Sequence, residues 1–220
     1  DIGGGTTDIA IFQEGIIRHT SVIPFGGDII TQDIKHGCSI LKPHAEALKV
    51  QHGSALQTET ENAVICIPGL KGRNAKEIST KTLAAIIQAR MEEILDHVYY
   101  EIKSSGYEKK LIAGIVLTGG GAQLRHMKQL VEYITGMDCR VGYPNEHVGK
   151  VREESMLSPA FSTGVGLVID GLTSTERNRT AENKLKTEEA AVPDVVEDEN
   201  KILGKTILDR IRGIFQAEEE

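Results

Sequence analysis

Asp1-Ile2-Gly3-Gly4-Gly5-Thr6-Thr7-Asp8 is the stretch of sequence that decides the fold. Its three glycines lie between carboxylates and lead into two threonines, as in turns whose backbone N–H groups approach an anion closely. Apolar segments at 9–12 and 16–23 flank a Gln-Glu-Gly turn and predict a β-hairpin. A P-loop or a dinucleotide fingerprint would open a helix here. The stretch therefore predicts a phosphate-binding hairpin over residues 1–25, a different way to hold phosphate.

A second glycine run, Gly119-Gly120-Gly121, ends an apolar segment of buried-strand type at residues 111–118. Apolar residues then recur at helical spacing over residues 122–134 and stop at Gly136. A strand, a glycine corner and a helix leave free helical N–H groups where an anion or a nucleotide can bind. Each glycine run alone is equally compatible with a tight turn that binds nothing, because glycine is the usual turn residue.

The remainder of residues 26–173 mixes strand and helix patterns and predicts an α/β fold. A helical stretch begins at Gly26-Gly27-Asp28, and a strand at 63–67 is followed by a Pro-Gly turn and a basic loop. Residues 80–103 carry a long apolar stripe at helical spacing. Pro159 suits the first turn of a further helix that runs to about residue 170.

Composition excludes several classes of function. The net charge of −7, without a basic run or interleaved aromatic residues, argues against nucleic-acid binding. The three cysteines stand far apart without a C-x-x-C motif, which argues against a zinc site and for reduced thiols. No stretch approaches the ~20 apolar residues of a transmembrane helix.

The C-terminal part has a different composition. Residues 174–200 are polar and charged with few large apolar residues, which predicts a disordered linker. Residues 201–217 regain apolar positions opposite a basic face and predict an amphipathic helix. This helix either folds back onto the domain or lies in a membrane interface, and the reach of the linker and the basic face favour the membrane. Glu218-Glu219-Glu220 is a departure, because anionic lipid would repel it.

The two glycine runs, in this order, resemble motifs of the actin-like (ribonuclease H-like) ATPases, which include actin, heat-shock chaperones, sugar kinases, MreB and FtsA. Residues 1–8 resemble their second phosphate loop, and residues 117–124 resemble their adenosine loop. Glu46 and Lys49 are three residues apart and share a helix face. They form either an ordinary surface ion pair or, as the resemblance implies, an adenosine contact.

Within that superfamily the chain is most similar to the FtsA family, over residues 1–172 and in the tail. The resemblance implies the second half of the fold. Residues 1–25 would belong to the large subdomain, 26–100 mostly to the small subdomain, and 101–173 to the rest of the large one.

The resemblance also implies ATP and Mg²⁺ as ligands and assigns the residues that hold them. Asp1 would hold Mg²⁺, usually through water. The residues expected around the nucleotide are Gly3, Gly4, Gly5, Thr6, Glu46, Lys49, Gly119, Gly120, Gly121 and Gln123. No catalytic residue is assigned, and a weak ATPase activity is left open.

As an FtsA-like protein, the chain is expected to polymerise, to anchor FtsZ filaments to the inner face of the cytoplasmic membrane at the division septum, and to recruit later divisome proteins. Lys76 and Arg90 would contact the C-terminal peptide of FtsZ, although each is equally compatible with an ordinary solvated residue. The membrane contact would come from four side chains of the tail helix, Ile207, Ile211, Ile214 and Phe215.

Two alternatives stay open at this point. One is a scaffold of another actin-like branch, similar to MreB or PilM. The other is a sugar-kinase-like phosphotransferase, which would need its own substrate pocket and base and would have no use for a lipid-binding tail. The linker and the amphipathic helix therefore favour the FtsA-like adaptor.

Overall fold

The computed structural model describes residues 1–68, 74–146, 148–149 and 153–190. Within these residues the chain mixes strands and helices, as the sequence predicts. The strands are β1 (Thr7–Gln13), β2 (Ile16–Ile23), β3 (Val64–Ile67), β4 (Lys76–Ser79), β5 (Ile115–Leu117) and β6 (Cys139–Val141). The α-helices are α1 (Gly27–Gly37), α2 (Lys42–His52), α3 (Thr80–Ser104), α4 (Met127–Thr135) and α5 (Ser162–Ala190).

The N-terminal hairpin is confirmed. β1 and β2 pair antiparallel, with Thr7 opposite Ile23 and Gln13 opposite Ile16. The two residues between the strands, Glu14 and Gly15, both have positive φ angles (55° and 74°). This is the turn geometry that matches the right-handed twist of paired strands. The hairpin therefore follows directly after the first glycine run.

The long helix α3 organises the core and matches its predicted bounds to within a residue. It packs against α1, α2, α4 and the hairpin. Ser79 begins it as an N-cap, since the Ser79 hydroxyl accepts a hydrogen bond from the N–H of Lys81. The helix residues that are buried are Leu83, Ala84, Ile87, Met91, Ile94, Leu95 and Ile102.

β4 was not expected, because its Lys-Glu-Ile-Ser sequence lies where the sequence predicts a basic loop. The strand pairs antiparallel with β3, and Ile78 is its buried residue. A four-residue strand with a single buried apolar side chain leaves almost no alternating pattern, so sequence periodicity could not reveal it.

The predicted helix after the second glycine run begins later than expected. Residues 120–123 form a 3₁₀ turn, Leu124 is extended, and His126 adopts a left-handed conformation before α4 begins at Met127. The break has a tertiary cause. Arg125 accepts a hydrogen bond at its carbonyl from the N–H of Ala55 (2.8 Å), which pulls this segment out of the helix and against the end of α2.

The predicted linker is corrected over residues 174–190, which belong to helix α5. The scarcity of apolar residues there excludes a packed core but does not exclude a helix, since Glu, Lys, Arg and Ala all favour helical backbone. The chain divides into a compact unit over Asp1–Leu167 and a second that begins at Val168. The predicted boundaries inside the first unit, at residues 25 and 100, stay predictions. Residues 191–220, including the predicted helix over 201–217, lie outside the described residues.

Across the described ranges, no helix is both long and apolar enough to cross a membrane.

Candidate functional site

The first glycine run forms a closed turn. The backbone N–H of Asp8 donates to the carbonyl of Asp1 (2.8 Å), and the backbone nitrogen of Asp1 donates to the carbonyl of Asp8 (2.8 Å). Inside this pair, the N–H of Gly3 donates to the carbonyl of Thr6 (2.9 Å). The Thr6 hydroxyl donates to the Asp8 carboxylate (2.9 Å). The sequence predicts that the Thr6 side chain contacts phosphate, whereas in the structure it stabilises the turn through its hydrogen bond to Asp8.

The second glycine run is attached to the first through Ile2. The N–H of Ile2 donates to the carbonyl of Thr118 (2.9 Å), and the carbonyl of Ile2 accepts from the N–H of Gly121 (2.9 Å). Gly119 has a φ of +84°, and a Cβ there would collide with the Asp1 carboxylate and the Ile2 carbonyl. A Cβ on Gly121 would collide with the Ile2 side chain. Both glycines are required by the close approach of the two runs.

The start of α1 closes against the same turn. The N–H groups of Gly27 and Asp28 donate to the carbonyls of Gly3 (2.9 Å) and Gly4 (2.7 Å). A Cβ on Gly26 would lie 2.6 Å from the Gly3 carbonyl oxygen and 2.8 Å from that of Gly4. Glycine is therefore needed at position 26 for space, since its backbone is extended.

Glu46 and Lys49, both on α2, meet α1 in a small polar cluster. The Lys49 ammonium lies 2.8 Å from the Glu46 carboxylate and donates to the carbonyl of Gly27 (2.9 Å) and the hydroxyl of Thr31 (2.8 Å). The Thr31 hydroxyl donates to Glu46 (2.5 Å). Burial raises the pKa of the Glu46 carboxyl, but the hydrogen bonds from Lys49 and Thr31 and the charges of Lys49 and Lys42 outweigh it. Its pKa therefore lies below its ordinary value, and the carboxylate is ionised at neutral pH.

These elements surround one cavity of about 410 Å³. It is lined by Gly3, Gly4, Gly27, Asp28, Ile30, Glu46, Lys49, Val50, Gly53, Gly120, Gly121, Gln123, Leu124 and Arg125. Three motifs that are far apart in the sequence thus contribute to a single cavity: the first glycine run, the Glu46–Lys49 pair and the second glycine run.

Seven of the predicted nucleotide residues line this cavity: Gly3, Gly4, Glu46, Lys49, Gly120, Gly121 and Gln123. Gly5, Thr6 and Gly119 lie in the same two turns but are not among its lining residues. Gly119 instead supports the contact between the turns. Ligand binding by each of these residues stays a prediction.

The cavity fits a nucleotide in size and in chemistry. Its volume falls in the range of ~300–1,000 Å³ that ligand pockets usually occupy. A Cβ at Gly4 or Gly120 would meet no atom within 4 Å, so both backbones face open space that a ligand can approach. With the Gly3 and Gly4 carbonyls turned toward α1, this exposed glycine backbone is free to approach phosphate oxygens.

Asp1, the predicted Mg²⁺ ligand, does not line the cavity, and its carboxylate accepts a hydrogen bond from the Thr163 hydroxyl (2.7 Å). Among the described residues, no group of three or more His, Cys, Asp or Glu side chains could hold a metal ion. A single carboxylate beside phosphate oxygens is compatible with a magnesium ion that keeps several waters. Mg²⁺ at Asp1 stays a prediction.

Arg90 and Lys76, the predicted partner residues, have different environments. The Arg90 guanidinium forms a bidentate ion pair with Asp33 of α1, with N···O distances of 2.6 Å and 3.1 Å. It also contacts Glu93. Arg90 therefore joins α3 to α1. Lys76 is exposed at the first position of β4.

Sequence reasoning missed several residues of the site. Gly26 and Thr31 were not singled out, although the Gly-Gly-Asp start of α1 indicated a glycine-dependent corner. Thr31 lies one helical turn after Gly27, a spacing that could have placed it beside Glu46 once the α1–α2 contact was known. The contribution of Arg125 and Gly53 depends on the pairing between residues 54–55 and 125, which no local pattern encodes.

The fold agrees with solved structures of one class of protein. MreB5 of Spiroplasma citri bound to AMPPNP superposes with a TM-score of 0.60 and 21% identity, over 80% of this chain and 53% of that chain. The PilM–PilN type IV pilus biogenesis complex superposes with a TM-score of 0.58 and 18% identity, over 78% and 44%. The chain therefore has the actin-like ATPase fold.

Sequence comparison identifies the family. The family model for cell division protein FtsA matches residues 1–166. The chain is 42% identical to cell division protein FtsA of Neisseria meningitidis over 170 residues, which is 76% of this chain and 41% of that protein. It is 41% identical to FtsA of Bacillus subtilis over 169 residues, 76% and 37% of the two chains. The chain belongs to the FtsA family of cell division proteins and spans about two fifths of the length of these relatives.

The packing at the start of α1 predicts the effect of replacing Gly26 with alanine. The added Cβ would meet two backbone carbonyls, and overpacking of this kind costs about 1–3 kcal/mol. We expect Gly26→Ala to lower the unfolding midpoint in a denaturant titration. Gly5→Ala is the matched control, because a Cβ at Gly5 meets no atom within 4 Å. Equal stability of the two variants would contradict the described closure of α1 on the glycine turn.

Proposed function

We propose that this protein binds ATP in the cavity between its two glycine turns and acts in cell division as a filament-forming adaptor. The observation that carries the proposal is the convergence of three separate motifs on one cavity of nucleotide size. Membership of the FtsA family supports the role in division. The relative MreB5, solved with AMPPNP and with ADP, supports nucleotide as the ligand of this fold.

In the proposed complex, the exposed backbone of the first glycine turn would hold the phosphates. Gly120 and Gly121 would border the α-phosphate and the adenosine, with Gln123 nearby. Glu46 would lie on the adenosine side of the cavity. Mg²⁺, held through water by Asp1, would neutralise phosphate charge. Any hydrolysis would depend on residues that position water, and none of the described residues is assigned that role.

The adaptor role has two further parts. The protein would polymerise, as the filament of the relative MamK illustrates for this fold. It would bind the C-terminal peptide of FtsZ on one side and an anionic membrane surface through residues 201–217 on the other. This would place FtsZ filaments at the inner face of the cytoplasmic membrane, at the septum, where later divisome proteins assemble.

The alternatives have less support. A sugar-kinase-like phosphotransferase would need a substrate base; of the carboxylates that line the cavity, Glu46 is paired with Lys49, which leaves Asp28 as the candidate. An MreB-like or PilM-like scaffold shares the fold, but the matches at 36–42% identity are to FtsA proteins. Pelleting of the full-length protein with liposomes, lost when the tail is removed, would separate the adaptor from these alternatives.

ATP binding is tested most cleanly at Gly120. A valine there would meet no protein atom at its Cβ and would project into open space at the cavity wall, so the fold should persist while the nucleotide is blocked. We expect Gly120→Val to weaken ATP binding at least tenfold in isothermal titration of the full-length protein. Gly164→Val, also in open space but not among the lining residues, is the control. Unchanged ATP affinity in folded Gly120→Val protein would remove the adenosine-loop assignment.

Binding of the FtsZ peptide is tested at Lys76 and Arg90. Lys76→Glu should weaken peptide binding several-fold in a fluorescence titration while ATP binding is retained, because Lys76 is exposed. Arg90→Asp alone would place a like charge against both Asp33 and Glu93, so it is tested beside the exchange Arg90→Asp with Asp33→Arg, which restores the pair with position 33. Weak peptide binding in the exchanged protein supports a contact with Arg90 itself. Normal binding by both the Lys76 variant and the exchanged protein would place the peptide elsewhere.

Membrane attachment is tested in the tail helix. Each of the side chains Ile207, Ile211, Ile214 and Phe215 should contribute about 1.5–3 kcal/mol to the free energy of membrane binding when it is buried in the lipid interface. Ordering the backbone costs about 1–2 kcal/mol per residue, so one tail is a weak anchor. A filament joins many tails and gains avidity.

We expect deletion of residues 201–220, or Ile211→Asp with Phe215→Asp, to abolish cosedimentation with anionic liposomes while ATP binding persists. Gln216→Asp adds one negative charge on the polar face and is the control for Ile211→Asp alone, which adds one negative charge on the apolar face. A monomeric variant with an intact tail should bind liposomes much more weakly than the filament. Sedimentation of the tail-deleted protein would refute the anchor.

A further inference from the structure

The Arg90 guanidinium is bound by carboxylates from two helices. Its Nε and Nη2 atoms donate to the two carboxylate oxygens of Asp33 on α1 (2.6 Å and 3.1 Å). Its Nη1 atom donates to Glu93, three residues further along α3. Both edges of the guanidinium are therefore in use. The Arg90 side chain is still 23% exposed, so an anionic group of a partner can reach it, but in competition with these carboxylates.

Asp33 belongs to the helix that forms one wall of the cavity. At the start of α1, the N–H groups of Gly27 and Asp28 donate to carbonyls of the first glycine turn, and both residues line the cavity. The backbone hydrogen bonds of an α-helix hold its residues together as one unit. A change in the position of Asp33 is therefore transmitted along α1 to the glycine turn.

The ion pair fixes how α1 lies on α3. Apolar packing also joins the two helices: Ile34 is fully buried, and a Cβ on Gly37 would lie 2.8 Å from Ile86 Cδ1. Apolar burial has no preferred direction, whereas a bidentate arginine–carboxylate pair does. Among the residues that the structure describes, Arg90 and Asp33 form the only ion pair between these helices. Loss of the pair would leave α1 attached to α3 but free to shift along it.

We propose that Arg90 couples partner binding to the nucleotide cavity: a carboxylate of the bound peptide takes Arg90 from Asp33, and the released α1 no longer holds the glycine turn in its binding geometry. This inference rests on the proposed binding of ATP and of the FtsZ peptide. Coupling between two binding sites is reciprocal, so bound ATP weakens peptide binding by the same factor. The two ligands therefore oppose each other on one subunit.

The experiment titrates ATP into the full-length protein with and without a saturating concentration of the C-terminal peptide of FtsZ. We expect the peptide to weaken ATP binding to the wild type by at least about fivefold, the lower end of typical couplings. In Asp33→Asn the pair is already lost, so ATP should bind weakly without peptide, and the peptide should change its affinity by less than about twofold. Glu93→Gln is the matched control. It also removes a carboxylate from Arg90, but from α3 itself, so the effect of the peptide on ATP should persist.

The possible results separate this inference from the proposed function. A wild type that binds both ligands without mutual effect would overturn the inference and leave the proposed function intact. Coupling that persists in Asp33→Asn, or that is also lost in Glu93→Gln, would overturn the route through α1. A folded wild type that binds no ATP would instead refute the proposed nucleotide function, and one that binds no peptide would refute the proposed partner.

A second measurement needs no variant and applies if Asp33→Asn proves unstable in a thermal melt. Addition of the peptide to the wild type should speed amide hydrogen exchange over α1, residues 27–37, because the helix loses its ion pair to α3. Unchanged exchange over α1 at saturating peptide would overturn the inference.

Discussion

The backbone of Ile2 is the constraint on which the rest of the site depends. Its N–H and carbonyl bond to the strand end and the glycine corner of the second run, while its side chain, 2% exposed, belongs to the hydrophobic core. Backbone hydrogen bonds on both sides of one residue leave the two runs at a fixed separation. The cavity wall is therefore anchored to the hydrophobic core through Ile2. The first residue of helix α5 contacts the same strand end, since the hydroxyl of Thr118 donates to that of Ser162 (2.5 Å).

The second organising contact is between α1 and α2. Lys49 reaches from α2 to the carbonyl of Gly27, and the first N–H groups of α1 are already bonded to the carbonyls of the glycine turn. The positive end of α1 thus serves to position the turn. The glycine backbone that remains exposed at Gly4 and Gly120 is then what would meet the proposed ligand. Some polar groups of the site therefore hold the glycine turn in place, and others stay available to a ligand.

Much of this arrangement is predictable from the sequence. The hairpin, the apolar stripe of α3 and the assembly of the two glycine runs with Glu46 and Lys49 follow from period, turn chemistry and family resemblance. The failures have physical causes. β4 buries only Ile78, so it has no readable alternation. The late start of α4 depends on a hydrogen bond between Ala55 and Arg125, which are 70 positions apart. Residues 174–190 have few large apolar residues but retain helix propensity, and a low apolar content alone does not distinguish a disordered linker from an exposed helix.

The glycines of the site fall into two groups with different genetic consequences. Gly26, Gly119 and Gly121 face protein atoms, so a side chain at any of them penalises folding before a ligand is present. Gly4 and Gly120 face open space, so a side chain there leaves the protein folded and abundant. If the protein assembles with copies of itself, as proposed above, the first kind of mutation removes subunits and should be recessive. The second kind supplies intact subunits that enter assemblies without working, and such alleles should be dominant over the wild type.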